Sequence, residues 1–137
     1  MTKLLISGSR EANSKLLHYV HFIVERAKVN GFHVICGDAG GVDSQCWHSC
    51  QELDVPYTVY GIADKPRNDA PIINFEVVRP ARTYEQRDRT MVEMADKVMC
   101  IWNGESKGSL AVYEYAKAQG KDCWLYKFDG KKMIEVK

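Results

Sequence analysis

The chain has 137 residues, 45% of them hydrophobic and 27% charged, a size and balance that support one globular domain with a core of its own over 1-137. Nineteen basic residues against 18 acidic give a net charge of +1, which argues against a duplex DNA binder or a membrane-surface protein and favours a small ligand. No apolar stretch approaches membrane-spanning length, Met1 is followed directly by a short strand pattern, and the five cysteines form no CxxC pair; a cytoplasmic protein with reduced thiols is expected.

Lys3 to Ile6 reads as a short apolar strand, broken by Ser7-Gly8-Ser9-Arg10, small residues that end in a cation. From Ser14 to Lys28, Leu16, Leu17, Val20, Ile23, Val24 and Ala27 recur at helical spacing, and Gly31 follows as a stop. His33 to Cys36 is the next strand. Gly37-Asp38-Ala39-Gly40-Gly41 forms a second glycine loop that opens a helix from Val42 to Leu53, and Tyr57 to Tyr60 is a third strand. Strands alternating with helices at this spacing predict right-handed βαβ units and a parallel sheet.

Between Gly61 and Arg82 the pattern lapses, with Pro66, Pro71 and Pro80 and a short candidate strand at Phe75 to Val78. So long a connection points to a lid or an edge element. Thr83 then caps a helix that runs through Ala95. Val98 to Trp102 is a buried strand, followed by the loop Asn103 to Gly108 and a helix closed by Gly120. Ser109 is the expected cap of that helix. Cys123 to Phe128 is a further strand, and Asp129-Gly130 signals a hairpin into an antiparallel edge strand at Lys132 to Val136. The expected fold is α/β, a mostly parallel sheet flanked by helices on both faces, with a C-terminal antiparallel edge hairpin.

Three glycine-bearing loops, each directly after a parallel strand, share one edge of such a sheet, where ligands bind as neighbouring crossovers part. Helix N-termini there offer unpaired N–H groups and a positive dipole end, suited to phosphate. Gly104 and Gly108 permit close approach, and Lys107 adds a mobile charge. Two helix starts at about 0.3–1 kcal/mol each fall well short of the roughly 8 kcal/mol of micromolar binding. Arg10, Arg87 or Arg89 would supply charge-assisted bonds, and Trp47, Trp102 or Tyr113 could cover a base, although aromatics at these positions also suit the core. Asp43, in the first helical turn, suits a cap or a ribose contact, and Asp38 suits a cap. Cys46 with Cys50 and His18 with His21 have chelating spacing but no third and fourth ligand, so neither a metal nor a resident cofactor is expected.

Taken together, Gly37-Asp38-Ala39-Gly40-Gly41-Val42-Asp43 resembles the G-x-A-x-G-x-D loop of the SLOG superfamily. Gly108-Ser109-Leu110 with Gly120-Lys121 resembles its G-[ST] helix start and G-K/R helix end, and Arg87-Asp88-Arg89-Thr90-Met91 resembles its R-K-x-x-M or R-N-x-x-M motif. Ser7-Gly8-Ser9-Arg10 is similar to the G-S-R start of small bacterial and phage members. The superfamily includes the lonely-guy phosphoribohydrolases and the core of DNA-processing protein A. The resemblance implies a Rossmann-like fold and a nucleotide-derived ligand. Its phosphates would be gripped by Gly37 to Gly41 (Asp38, Ala39 and Gly40 among them) and by Gly108 and Ser109, with Arg87 near the sugar; Gly8, Ser9, Arg10, Asp43, Asn103, Gly104 and Lys107 of the same three loops are the further ligand-binding candidates. It also implies a homodimer or higher homo-oligomer. Against the hydrolase pattern P-G-G-x-G-T-x-x-E, Val112 stands where the glutamate would be and Asp88 replaces the lysine of R-K-x-x-M. Arg87, Glu105 and Glu114 are the remaining candidates for catalysis. Binding of a nucleotide-derived ligand is the leading reading, hydrolysis of an N-glycosidic bond in a nucleoside monophosphate the second, and single-stranded DNA binding the third.

Overall fold

The computed structural model describes residues 1–79 and 81–137; Pro80, one of the three prolines in the irregular stretch, lies outside them. Among the described residues, seven strands and four helices follow in the order β1 (Lys3–Gly8), α1 (Ser14–Asn30), β2 (His33–Gly37), α2 (Val42–Leu53), β3 (Tyr57–Gly61), β4 (Phe75–Val77), α3 (Tyr84–Met94), β5 (Lys97–Trp102), α4 (Lys107–Ala118), β6 (Asp122–Phe128) and β7 (Met133–Glu135). They form one sheet in the order β4-β3-β2-β1-β5-β6-β7. All neighbours are parallel except β6 and β7, where Tyr126 faces Glu135 and Phe128 faces Met133 across the hairpin at Asp129-Gly130.

Alternation along the central strands divides the core. Leu4, Ile6, Val34, Cys36 and Val59 point to the face covered by α1 and α2, where they meet Leu16, Val20, Val24, Cys46 and Trp47. Leu5, Ile35, Val98, Cys100 and Leu125 point to the other face and meet Met91, Val92 and Ala95 of α3 and Val112 and Ala116 of α4. The two helices on each face follow from the two crossover sets, β1 to β3 on one side and β4 to β6 on the other. The chain therefore parts to opposite faces between the adjacent strands β1 and β5.

The irregular stretch after β3 contains the edge element its length suggests. β4 pairs with β3 in parallel, Val59 opposite Phe75 and Gly61 opposite Val77. The route there is made of turns, with Asn68, Asp69 and Asn74 at positive φ, residue types that tolerate the left-handed region. Helix caps are built as side-chain chemistry predicts, with one correction. Thr83 caps α3 in a full capping box with Gln86, but α4 is capped by Ser106, which accepts from the Ser109 amide; Ser109 lies inside the helix. The helix begins at Lys107, so Ser106 is the residue with extended backbone in front of it.

Close packing of the loops fixes the glycines unequally. Gly41 has φ +67°, and a Cβ there would lie 2.2 Å from the Arg10 carbonyl oxygen and 2.5 Å from that of Ser9, whereas a Cβ on Gly40 would meet nothing within 4 Å. Gly41→Ala is expected to cost more than about 2 kcal/mol through strain and steric overlap, and Gly40→Ala less than about 1 kcal/mol. Denaturant unfolding of the two variants checks this; equal losses would show that the two loops do not pack as described.

Candidate functional site

Ser9 joins the three glycine loops. It is fully buried; its amide donates to the Ile101 carbonyl (3.1 Å), its carbonyl accepts from the Val42 amide (3.1 Å) and its Oγ accepts from the Asn103 amide (3.0 Å). Asn103 organises its own loop, its Oδ1 accepting from the amides of Glu105 and Ser106 and its Nδ2 donating to the Glu11 carbonyl. The loops after β1, β2 and β5 are thus joined at one sheet edge, and they frame a cleft of about 350 Å³. Ser7, Gly8 and Arg10 line it from the first loop, Ala39 and Asp43 from the second, and Ser106, Lys107, Gly108 and Ser109 from the start of α4. Arg67, Tyr84, Arg87 and Asp88 complete the wall.

That wall is a buried ion network centred on Asp38, which is 1% exposed. Asp38 Oδ1 accepts from Arg87 Nη1 at 2.9 Å and from Arg67 Nε at 3.1 Å, and Oδ2 accepts from the Arg67 amide at 3.0 Å. Asn68 Nδ2 donates to the Asp38 carbonyl at 2.9 Å. Arg87, itself 4% exposed, also donates from Nε and Nη2 to Asp88 Oδ1, at 3.1 and 2.8 Å, and from Nη1 to the Tyr60 carbonyl at 3.3 Å. Its guanidinium is admitted by Gly37, where a Cβ would lie 2.8 Å from Arg87 Cζ. The Arg67 guanidinium lies 3.5 Å from the centre of the Tyr84 ring, a cation–π contact that ties the stretch after β3 to the start of α3.

Burial pushes the Asp43 carboxyl up to about 7 against the pull of Arg87, and its Oδ2 accepts from the Ala39 amide at 3.2 Å. Burial also raises Asp88, outweighing its partner Arg87. Burial alone would lower Arg87, but Asp88, Asp43 and Asp38 hold it above its ordinary value. With Asp43 neutral the network contains two cations and two anions. Among the described residues, Arg10 and Lys107 then line the cleft with no ion-pair partner.

Of the residues proposed from sequence, Gly8, Arg10, Ala39, Asp43, Arg87, Lys107, Gly108 and Ser109 meet in this cleft. Asp38 lies behind it, bound to two arginines. Gly104 is at φ +88° with open space around it. Glu105 and Glu114 are exposed and line neither this cleft nor the groove beside it. Trp47 is core, and Trp102 donates from Nε1 to the Ser106 carbonyl. Sequence reasoning passed over Arg67 and Tyr84. The one local signal beside Arg67 was Asn68-Asp69, residue types that favour a turn and that both adopt positive φ here. No group of three or more His, Cys, Asp or Glu among the described residues is arranged to hold a metal, and no helix among them is long and apolar enough to cross a membrane.

A mostly parallel sheet whose crossovers part between β1 and β5, with a cleft lined by glycine loops at that point, defines a Rossmann-like α/β fold. No family model and no curated protein matches the sequence. Among solved structures, DNA processing protein A from Helicobacter pylori, described with its single-stranded DNA binding mode, superposes with a TM-score of 0.74 at 18% identity, over 90% of this chain and 64% of that one. The molybdenum cofactor binding protein from Rippkaea orientalis gives 0.74 at 15% identity, over 93% and 77%. The molybdenum cofactor carrier protein from Chlamydomonas reinhardtii gives 0.68 at 15%, over 90% and 75%. The chain thus spans less than two thirds of the DNA-processing protein it resembles, and at these identities the likeness is one of fold.

The Asp43 carboxyl gives a pH signature. The unfolded chain releases its proton near the ordinary carboxylate value, 3.8, and the folded chain only near 7, so the native state binds more protons in that window and Asp43 withdraws stability as pH rises through it. Asp43→Asn should therefore gain stability relative to the parent between pH 4.5 and 7 and hold a constant difference above about 7.5. Denaturant unfolding at pH 4.5, 6 and 8 checks this; parallel profiles would show that Asp43 ionises normally.

Proposed function

We propose that this chain binds a nucleotide or nucleotide-derived small molecule, with a phosphate held at the start of α4. The observation that carries the reading is the placement of two uncommitted cations, Arg10 and Lys107, beside Gly108 in the cleft between β1 and β5, where a Cβ on Gly108 would meet nothing within 4 Å. The amides of Lys107 and Gly108 belong to the first helical turn and have no acceptor within the helix, while that of Ser109 is taken by Ser106. Two amides, a helix dipole and two side-chain cations suit a phosphate. Arg87 contributes as the rigid back of the site, its charge already shared between Asp38 and Asp88.

Binding without cleavage is favoured by where the carboxylates lie. Hydrolysis of an N-glycosidic bond builds positive charge on the sugar, which an ionised carboxylate must meet. Val112 occupies the expected helix position, Glu105 and Glu114 lie outside the cleft, Asp88 is paired with Arg87, and Asp43 is buried and neutral below pH 7. The fold relatives described above as binding proteins, for single-stranded DNA and for a molybdenum cofactor, accord with this reading.

Arg10 and Lys107 are exposed at the cleft mouth, so replacing either leaves the fold intact. Arg10→Gln and Lys107→Gln are each expected to weaken binding of ribonucleoside mono- or diphosphates by roughly tenfold or more, the equivalent of about 1.5 kcal/mol for a charge-assisted bond. Titration calorimetry measures this, with a single-stranded oligonucleotide at two salt concentrations as the comparison; unchanged affinities in both variants would place the phosphate elsewhere. Incubation with ribo- and deoxyribonucleoside monophosphates is expected to release no free base by chromatography at pH 7. Turnover abolished by Asp88→Asn or Glu105→Gln would overturn the binding-only reading.

A further inference from the structure

A second hollow, of about 440 Å³, runs between α3 and α4 and opens directly into the phosphate cleft. The two share Arg10, Tyr84, Asp88, Lys107 and Gly108 as walls. Beyond that shared mouth the lining changes character. Val92 of α3 and Ala111 and Val112 of α4 give an apolar floor, and Tyr115 stands in the wall as Tyr84 does. Both rings are held: Tyr84 under the Arg67 guanidinium at 3.5 Å, and Tyr115 by its hydroxyl, which donates to Glu93 at 2.8 Å, and by Arg89, 5.3 Å from its centre. A groove with an apolar floor and fixed aromatic rings, the Glu85–Arg89 ion pair (3.0 Å) in its α3 wall and an anion site at its mouth matches a planar heteroaromatic group joined to a phosphate.

We infer that the groove between α3 and α4 is the subsite for the base of a nucleotide whose phosphate lies in the adjoining cleft, so that the ligand runs from the start of α4 along the α3–α4 seam. This rests on the phosphate site proposed above. It also gives the departure of Val112 from the hydrolase pattern a positive use: a residue 5% exposed on the inner face of α4 forms apolar floor where a carboxylate would have faced the ligand. The replacement of lysine by Asp88 likewise leaves an acceptor where the two hollows join, at the place of the sugar.

The test compares the four common ribonucleoside 5′-monophosphates with ribose 5-phosphate, which keeps phosphate and sugar but lacks the base, on the full chain. At least one nucleotide is expected to bind ten or more times tighter than ribose 5-phosphate. Ala111 is exposed on α4, so Ala111→Phe fills the groove without disturbing the core; it is expected to reduce that preference to within twofold while leaving ribose 5-phosphate affinity unchanged. Chemical-shift perturbation should report nucleotide-specific changes at Val92, Ala111 and Tyr115. Equal affinity for ribose 5-phosphate and all four nucleotides, or an equal loss of both in Ala111→Phe, would overturn the base subsite and leave the phosphate site standing. Binding of neither class would overturn both.

Discussion

The carboxylate of Asp38 is the constraint from which the site is built. It sits at the carboxyl end of β2, almost wholly excluded from water, and an ionised carboxylate in that position costs several kcal/mol unless it is paired and hydrogen-bonded. Arg87 from α3 and Arg67 from the stretch after β3 supply that pairing from two directions, with the Arg67 amide taking the second oxygen. One buried charge therefore fixes three chain segments that no strand pairing connects: the second glycine loop, the turn-rich connection to β4 and the start of α3. Removing either arginine leaves an uncompensated charge in the interior, so the network behaves as a unit.

Its consequence for chemistry is a division of labour among the cations. In sequence, Arg10, Arg67, Arg87 and Lys107 are equivalent as potential phosphate contacts. In the fold, the first call on Arg67 and Arg87 comes from Asp38 and Asp88, leaving Arg10 and Lys107 as charges whose solvation an incoming anion can replace. A raised Asp43 reinforces this, since a third ionised carboxylate beside the cleft would repel the same anion. The network makes the rear of the cleft near neutral and keeps the unpaired positive charge of Arg10 and Lys107 at its mouth.

Much of the scaffold was legible in the sequence because its signals are local. The helix from Val42 to Leu53 follows from a glycine loop and apolar spacing, the hairpin from Asp129-Gly130, and the parallel sheet from the alternation of elements. The convergence of the three glycine loops followed from topology alone. What could not be read were partnerships across long separations. Asp38 to Arg67 spans 29 residues and Asp38 to Arg87 spans 49, and nothing in composition or periodicity distinguishes an arginine that will be buried against a carboxylate from one left for a ligand. Ser109 illustrates the same limit at short range: it and Ser106 are equally good caps by type, and only the position of the first helical turn decides between them.

The glycines carry this distinction furthest. A glycine-rich loop is commonly read as room for a ligand, yet Gly8, Gly37 and Gly41 make room for the protein itself. A Cβ at Gly8 would lie 2.3 Å from the Ile101 carbonyl oxygen, one at Gly37 would meet Asp43 and Arg87, and one at Gly41 would meet the backbone of Ser9 and Arg10. These three let the loops after β1, β2 and β5 close on one another around Ser9 and let the Arg87 guanidinium enter. Gly108 is the different case, open on the side that faces both the cleft and the α3–α4 groove. These glycines thus serve chiefly to bring the loops into contact, and the surface on which the proposed ligand would rest is narrower than the loops themselves: the first turn of α4, two cations, and the seam between two helices.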